Sequence, residues 1–325
     1  MASPAVLRHA LLNARFQTGM KNSLDEAIVA NAGTSGVDVG STRKVDEIPY
    51  DFVRKCLTIV TAEADGTCTM ITKGALASVL ARCTTVASSG AAVALDAKVR
   101  DEIDKRFSEW SAKGFRVLGI ASKVVAAQTA SFARNDEKEL TYGGFLLFFD
   151  PPKGDVREVI SSLASRGVQL KIITGDNQKV ARFVAESVGL PVTDLLTGSA
   201  LADLRDEALW HIAERTTVFA EVDPNQKERI ILALQKTGHV VGYMGDGIND
   251  APALHAADVG ISVNTAVDVA KDAADFVLLQ TSLGILREGI DEGRRTYANT
   301  LKYVLTTISA NFGNMFSMAF ASIVL

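Results

Sequence analysis

Cysteine is scarce. Cys56, Cys68 and Cys83 are the three in 325 residues. They are odd in number and lack the close spacing of metal ligands, which excludes a zinc module or a disulfide scaffold and fits a reduced, cytosolic setting. An excess of positive charge is also missing. With 34 Lys and Arg against 38 Asp and Glu, the net charge is -4, so there is no basic face and nucleic acid is not an expected partner. A cleavable leader is not visible, because Met1 to Ala5 run straight into a mildly polar helix. Internal repeats and long low-complexity tracts are absent too. Asn31–Ser41, rich in Gly, Ser and Thr, reads as one flexible loop. What remains is 47% apolar and 22% charged residues, enough for a sizeable core, in a chain long enough for about two or three domains.

Residues 1–149 mix helices and strands. Helices are predicted over 7–16, 23–30, 74–82 and 97–113, and strands over 52–63, 67–72, 115–125 and 142–149. Ala64-Asp65-Gly66 is a hairpin signal between two of the strands. The expected result is an α+β domain with an antiparallel sheet and helices on one face. From 150 to 293 the period changes. Apolar runs over 168–174, 217–220, 239–244, 259–263 and 275–279 alternate with helical segments over 177–188, 224–237 and 249–257, which predicts an α/β, doubly wound parallel sheet. Asp150-Pro151-Pro152 reads as a stiff hinge between the two halves. Residues 294–325 form a third piece, in which 303–325 carry no charge. That stretch exceeds the roughly 20 residues a bilayer requires. Arg294, Arg295 and Lys302 precede it, so a transmembrane helix is expected, with residues 1–300 on the cytoplasmic side.

Chemistry collects at three strand ends of the second half. The string GDGINDAPAL, Gly245 to Leu254, follows an apolar strand, at the edge where open α/β sheets bind ligands. Its carboxylates Asp246 and Asp250, with Asn249 beside them, suit a hard cation such as Mg²⁺ paired with phosphate. Thr174-Gly175-Asp176 ends another strand with a hydroxyl and free N–H groups that can hold phosphate oxygens. Lys227 stands in the first turn of a helix. Read singly, each has a plainer meaning: a Gly/Asp turn, a helix cap, a solvated lysine.

Together they resemble a family. GDGINDAPAL is similar to the acidic loop of haloacid-dehalogenase-like phosphotransferases in the form seen in P-type ATPases. The order Thr-Gly-Asp, lysine, Gly-Asp-Gly-x-Asn-Asp matches three of that superfamily's four catalytic motifs. In the first half, IPYDFVRK (Ile48–Lys55), TKGAL (Thr72–Leu76) and KGFRVLGIA (Lys113–Ala121) resemble the nucleotide-binding domain of the same family. The resemblance implies ATP and Mg²⁺ as cofactors. Tyr50, or alternatively Phe52, would stack on adenine, with Lys55, Lys73 and Gly74 lining the pocket and Arg116 reaching the phosphates. It also implies catalytic roles for Thr174, Gly175, Asp176 and Lys227, and a metal at Asp246, Asp250 and Asn249.

The fourth motif, the nucleophile Asp-Lys-Thr-Gly-Thr, occurs nowhere in the chain. Asp150 is followed by two prolines and reads as hinge. The expectation is a piece whose parallel sheet lacks its first strand, leaving two open strand edges, and which binds ATP without forming an aspartyl-phosphate. The stretch ANFGNMFS, Ala310 to Ser317, resembles the bacterial magnesium-transporting branch, where calcium-pump relatives carry a glutamate at the Asn314 position. Asn311 and Asn314 share a helix face and would meet the transported ion, Mg²⁺, in a bacterial plasma membrane. Two other readings compete with this one. A soluble phosphatase of the superfamily lacks support, because there is no Asp-x-Asp and the membrane run is present. A non-catalytic nucleotide-binding module stays open.

Overall fold

A sheet that is apolar on both faces organises the first part of the molecule. The computed structural model describes residues 3–19, 23–37, 39–51, 53–88, 91–127, 131–152, 154–280 and 282–324. The chain divides into two compact units, Met1–Pro151 and Pro152–Leu325.

In the first unit, helices α1 (Pro4–Phe16) and α2 (Ser23–Thr34) lead into strands β1 (Arg43–Asp51), β2 (Cys56–Ala62) and β3 (Cys68–Ala75). Helix α3 (Leu76–Leu80), strands β4 (Cys83–Ser88) and β5 (Ala91–Ala94), helix α4 (Ala97–Ala112) and strands β6 (Arg116–Val125) and β7 (Leu140–Phe148) follow. The seven strands form one sheet in the order β1-β2-β3-β6-β7-β4-β5. Neighbours run antiparallel except β4 beside β7.

The sequence predicts helices on one face, and the structure corrects this. Successive strand residues point to opposite faces. Ile71 of β3 and Ile120 of β6 pack under α1 and α2, whereas their neighbours Met70 and Ala121 pack under α3 and α4. Every residue of β2 is buried, as a strand covered from both sides must be. The helix predicted over 74–82 also begins later, because Gly74 and Ala75 still belong to β3. Phe52 lies outside the described residues.

The second unit contains α5 (Val156–Ser165), β8 (Ile172–Ile173), α6 (Gln178–Ser187), β9 (Leu195–Thr197), α7 (Gly198–Ala202), α8 (Asp206–Arg215), β10 (Val218–Ala220) and α9 (Pro224–Lys236). Next come β11 (Gly242–Met244), α10 (Ala251–Ala256), β12 (Val259–Val263), α11 (Asp268–Asp272), β13 (Phe276–Leu278) and α12 (Leu283–Val324). Where one parallel sheet was expected, there are two of three strands each, ordered β8-β10-β9 and β11-β12-β13. All pairings in them are parallel. Strands β8 and β11 are thus each the edge of a separate sheet. Both sheets nevertheless contribute to one core: Phe219 of β10 and Tyr243 of β11 belong to the same buried cluster as Ile230 and Leu254.

Helix α12 is continuous over 42 residues. Near its start, Arg166 holds Asp291 with two bonds of 2.7 and 2.8 Å, and Arg294 donates to the Arg166 carbonyl at 2.9 Å. Among the described residues no helix is long and apolar enough to cross a membrane. The span expected over 303–325 is thus not shown. Freedom from charge is not the same as apolarity, and Asn311 and Asn314, with Thr306, Thr307, Ser309 and Ser317, lower the mean hydropathy of the stretch.

Candidate functional site

The acidic loop is built around one carboxylate. Strand β11 ends at Met244, and Gly245 permits a turn so tight that a Cβ there would stand 2.5 Å from the Asp250 Cβ. The chain returns through a 3-10 turn, Ile248–Asp250. Asp250 is buried and accepts three bonds: from Lys227 Nζ at 2.6 Å, from the Tyr243 hydroxyl at 2.7 Å and from the Gly247 N–H at 3.0 Å. Burial alone would raise this carboxyl, but Lys227, Tyr243 and the Gly247 amide outweigh it and hold Asp250 below the usual carboxylate range. Tyr243 is driven the other way, well above its ordinary value, by burial and then by the Asp250 charge.

Lys227 is placed by its helix. Asp223 caps α9, accepting from the Gln226 N–H at 2.9 Å, while Gln226 reaches back to the Asp223 N–H at 3.0 Å, with Pro224 in the first turn. This reciprocal cap fixes the turn that presents Lys227. The Thr174–Asp176 loop is tied to the segment just before that cap. Val222 N–H donates to the Thr174 carbonyl at 3.2 Å, and Glu221 N–H donates to the Asp176 carbonyl at 2.9 Å. The Thr174 hydroxyl accepts from the Asp176 N–H at 3.1 Å. Glu221, in the left-handed region at φ 60, also takes the Asn177 amide and the Gln178 N–H, each at 3.1 Å. Thus the Thr174 loop, the start of α9 and the Asp250 loop form one connected run of bonds.

Asp246 is exposed and lines a cavity of about 270 Å³ with Met244, Val263, Thr265, Leu278 and Gln280. Its donor set is of hard oxygens, which suits Mg²⁺ held through one carboxylate with water or phosphate completing the shell. Asp250 does not fit as a second direct ligand while its oxygens serve Lys227, Tyr243 and Gly247. Asn249 is half-buried in the 3-10 turn. Among the described residues no cluster of three or more His, Cys, Asp or Glu is arranged to hold a metal.

In the first unit the sheet register gathers the scattered motif residues at one end. Asp51 pairs with Cys56, Cys56 with Gly74, and Gly74 with Gly119. Tyr50 at the end of β1, Lys55 before β2, Gly74 near the end of β3 and Arg116 at the start of β6 therefore share that end. Tyr50 is 49% exposed, and its partial burial, with Cys56 and Asp51 nearby, raises its phenol. Lys55 and Arg116 are exposed. Lys73 sits differently: it is buried and ion-paired with Asp25 of α2. Burial lowers its ammonium, with Asp25 opposing the shift. It is committed to the α2 side of the sheet.

Tyr243 and Asp25 escaped the reading of the sequence. A tyrosine inside an apolar strand is a buried hydroxyl in need of a partner, and that signal points to Tyr243. Asp25 gives none, since an acid in the first turn of a helix is ordinary capping chemistry.

The sequence profile of the P-type ATPase cytoplasmic domain N matches residues 18–155. The magnesium-transporting ATPase, P-type 1, of Salmonella typhimurium strain LT2 is 44% identical over 322 residues, 98% of this chain and 36% of that protein. The chain belongs to the P-type ATPases. A P-type magnesium-transporting ATPase of Escherichia coli strain K12 matches to the same extent, 44% over 322 residues. The calcium-transporting ATPase of Bacillus subtilis strain 168 is 32% identical over 282 residues, 86% of this chain and 32% of its own length. This P-type ATPase chain thus spans about a third of the length of the relatives it matches.

Proposed function

We propose that this chain is the ATP-handling part of a magnesium-transporting P-type ATPase. The first unit binds ATP, with Tyr50 against the base and Lys55 and Arg116 toward the phosphates. The second unit is a haloacid-dehalogenase-like phosphoryl-transfer domain. The observation that carries this reading is the junction of Lys227, Tyr243 and Asp250 beside exposed Asp246, in a loop whose neighbours lead to Thr174. There, Thr174 and Lys227 neutralise the oxygens of a transferring phosphoryl group. Asp250 fixes the Lys227 ammonium in place. Asp246 holds Mg²⁺, which supplies charge neutralisation on the phosphate. Catalysis in such a site is mainly positioning and electrostatics. The open edges of β8 and β11 support a sheet arranged to receive a further strand between them. The greater identity to the magnesium-transporting relatives than to the calcium-transporting one supports Mg²⁺ as cargo, with Asn311 and Asn314 on α12 as its candidate amide ligands.

A narrower reading rests on the missing Asp-Lys-Thr-Gly-Thr: this chain by itself binds ATP without becoming phosphorylated. Two measurements test these readings. Isothermal titration with ATP should show binding that weakens about tenfold in Tyr50→Ala, the loss expected for one aromatic–base stack. Equal affinity of the two proteins would remove Tyr50 from the site. Incubation with γ-labelled ATP should leave no acid-stable label on the chain, and a labelled, acid-stable band would refute the narrower reading.

A further inference from the structure

Outside the residues assigned so far, Glu137 is a buried charge of the first unit that accepts several bonds. It follows a short 3-10 turn, Arg134–Asp136, and precedes β7. Its side chain has no solvent exposure. It accepts from Arg54 Nη1 at 2.5 Å on each oxygen, from the Thr58 hydroxyl at 2.6 Å and from Arg82 Nε at 3.3 Å. Thr58 in turn shares a 2.8 Å bond with Thr72, so the carboxylate is anchored to β2 and through it to β3.

Arg54 carries that anchor outward. Its Nε donates to Asp51 Oδ2 at 2.6 Å, and its Nη2 donates to the Pro49 carbonyl. Asp51 Oδ1 also takes the Arg54 N–H at 2.6 Å. Pro49 and Asp51 are the two neighbours of Tyr50. One guanidinium therefore grips the chain on both sides of the aromatic ring, and the fully buried carboxylate sets where that guanidinium sits. Lys55 follows at once, in the left-handed region at φ 52.

We infer that Glu137, acting through Arg54, is the positioning residue for the base-binding end of the nucleotide site; this rests on the reading that the first unit binds ATP. Glu137 touches no ligand itself. A clamp of this kind is rigid because a planar guanidinium fixes both distance and angle, and a binding side chain is only as well placed as the groups behind it.

The test compares two ligands on the whole chain, ATP and inorganic tripolyphosphate, titrated by calorimetry in one magnesium-containing buffer. Tripolyphosphate has no base and reports only the phosphate end. The expected result for Glu137→Gln is a loss of about tenfold in ATP affinity with tripolyphosphate affinity unchanged. Arg54→Lys should behave in the same way, because it keeps a cation beside Glu137 but loses the fork to Pro49 and Asp51. It serves as the deciding variant if circular dichroism shows that Glu137→Gln has not folded. Unchanged ATP affinity in a folded variant overturns the inference, as does an equal loss for both ligands, which would mark a general structural role. Wild-type protein that binds neither ligand would instead overturn the ATP-binding reading on which it rests.

Discussion

Lys227→Met should destabilise the second unit by about 3–5 kcal/mol at pH 7, the usual consequence of stranding one partner of a buried ion pair. Both side chains are 12% exposed, so water does little to replace the lost ammonium. Tyr243→Phe, which removes one neutral donor from the same carboxylate, should cost about 1 kcal/mol. The pH dependence gives a sharper check. In the wild type, Asp250 is held below its ordinary value. A depressed carboxyl contributes stability that is present above the unfolded value of 3.8 and is lost as pH falls through the still lower folded value. In Lys227→Met that contribution is gone, and burial pushes the carboxyl upward. The denaturation midpoints of the two proteins should therefore differ widely at neutral pH and approach each other below about pH 4. A gap of the same size at pH 7 and pH 3 would show that the ion pair is not the source of the difference.

How much of this was readable beforehand depends on the range of the interaction. The loops at Thr174, Lys227 and Gly245–Asp250 were legible because glycine, aspartate and proline punctuate apolar runs, whereas the caps at Asn177 and Asp223 show only in the structure. Strand β1 was not, because its sequence RKVDEIPYD is charged and lies at the edge of the sheet, where polar residues are tolerated. The burial of both sheet faces was likewise hidden. Alternation in β3 reads as one buried face until a second layer of helices is known to cover the other. Glu137 and Arg54 lie 83 positions apart, and no periodicity reports a pair so distant. Lys73 falls between these cases. Its place at the end of β3 was legible, but its turn toward Asp25 depends on how α2 packs.

Gly74→Ala is expected to be the most damaging single methyl addition in the first unit. The register sets Gly74 opposite Cys56, and the Ala75 N–H bonds the Lys55 carbonyl at 2.9 Å, drawing the two strands together. A Cβ on Gly74 would lie 2.3 Å from that carbonyl oxygen and 2.6 Å from the Cys56 Cα. These are backbone atoms, so no rotamer change relieves the contact and β2 must move away from β3. The cost should be about 3 kcal/mol or more, at the upper end for overpacking. Because Lys55 immediately precedes the displaced end of β2, and Cys56 there pairs with Asp51 next to Tyr50, ATP affinity should fall with stability. Gly143→Ala provides the comparison. Its Cβ would meet the Ile120 carbonyl at an ordinary 3.5 Å, and alanine suits a strand better than glycine, so its effect should stay within about 1 kcal/mol. Urea denaturation of the two variants checks the claim: similar midpoints would mean that the close approach of β2 to β3 at Gly74 is not a constraint on the fold.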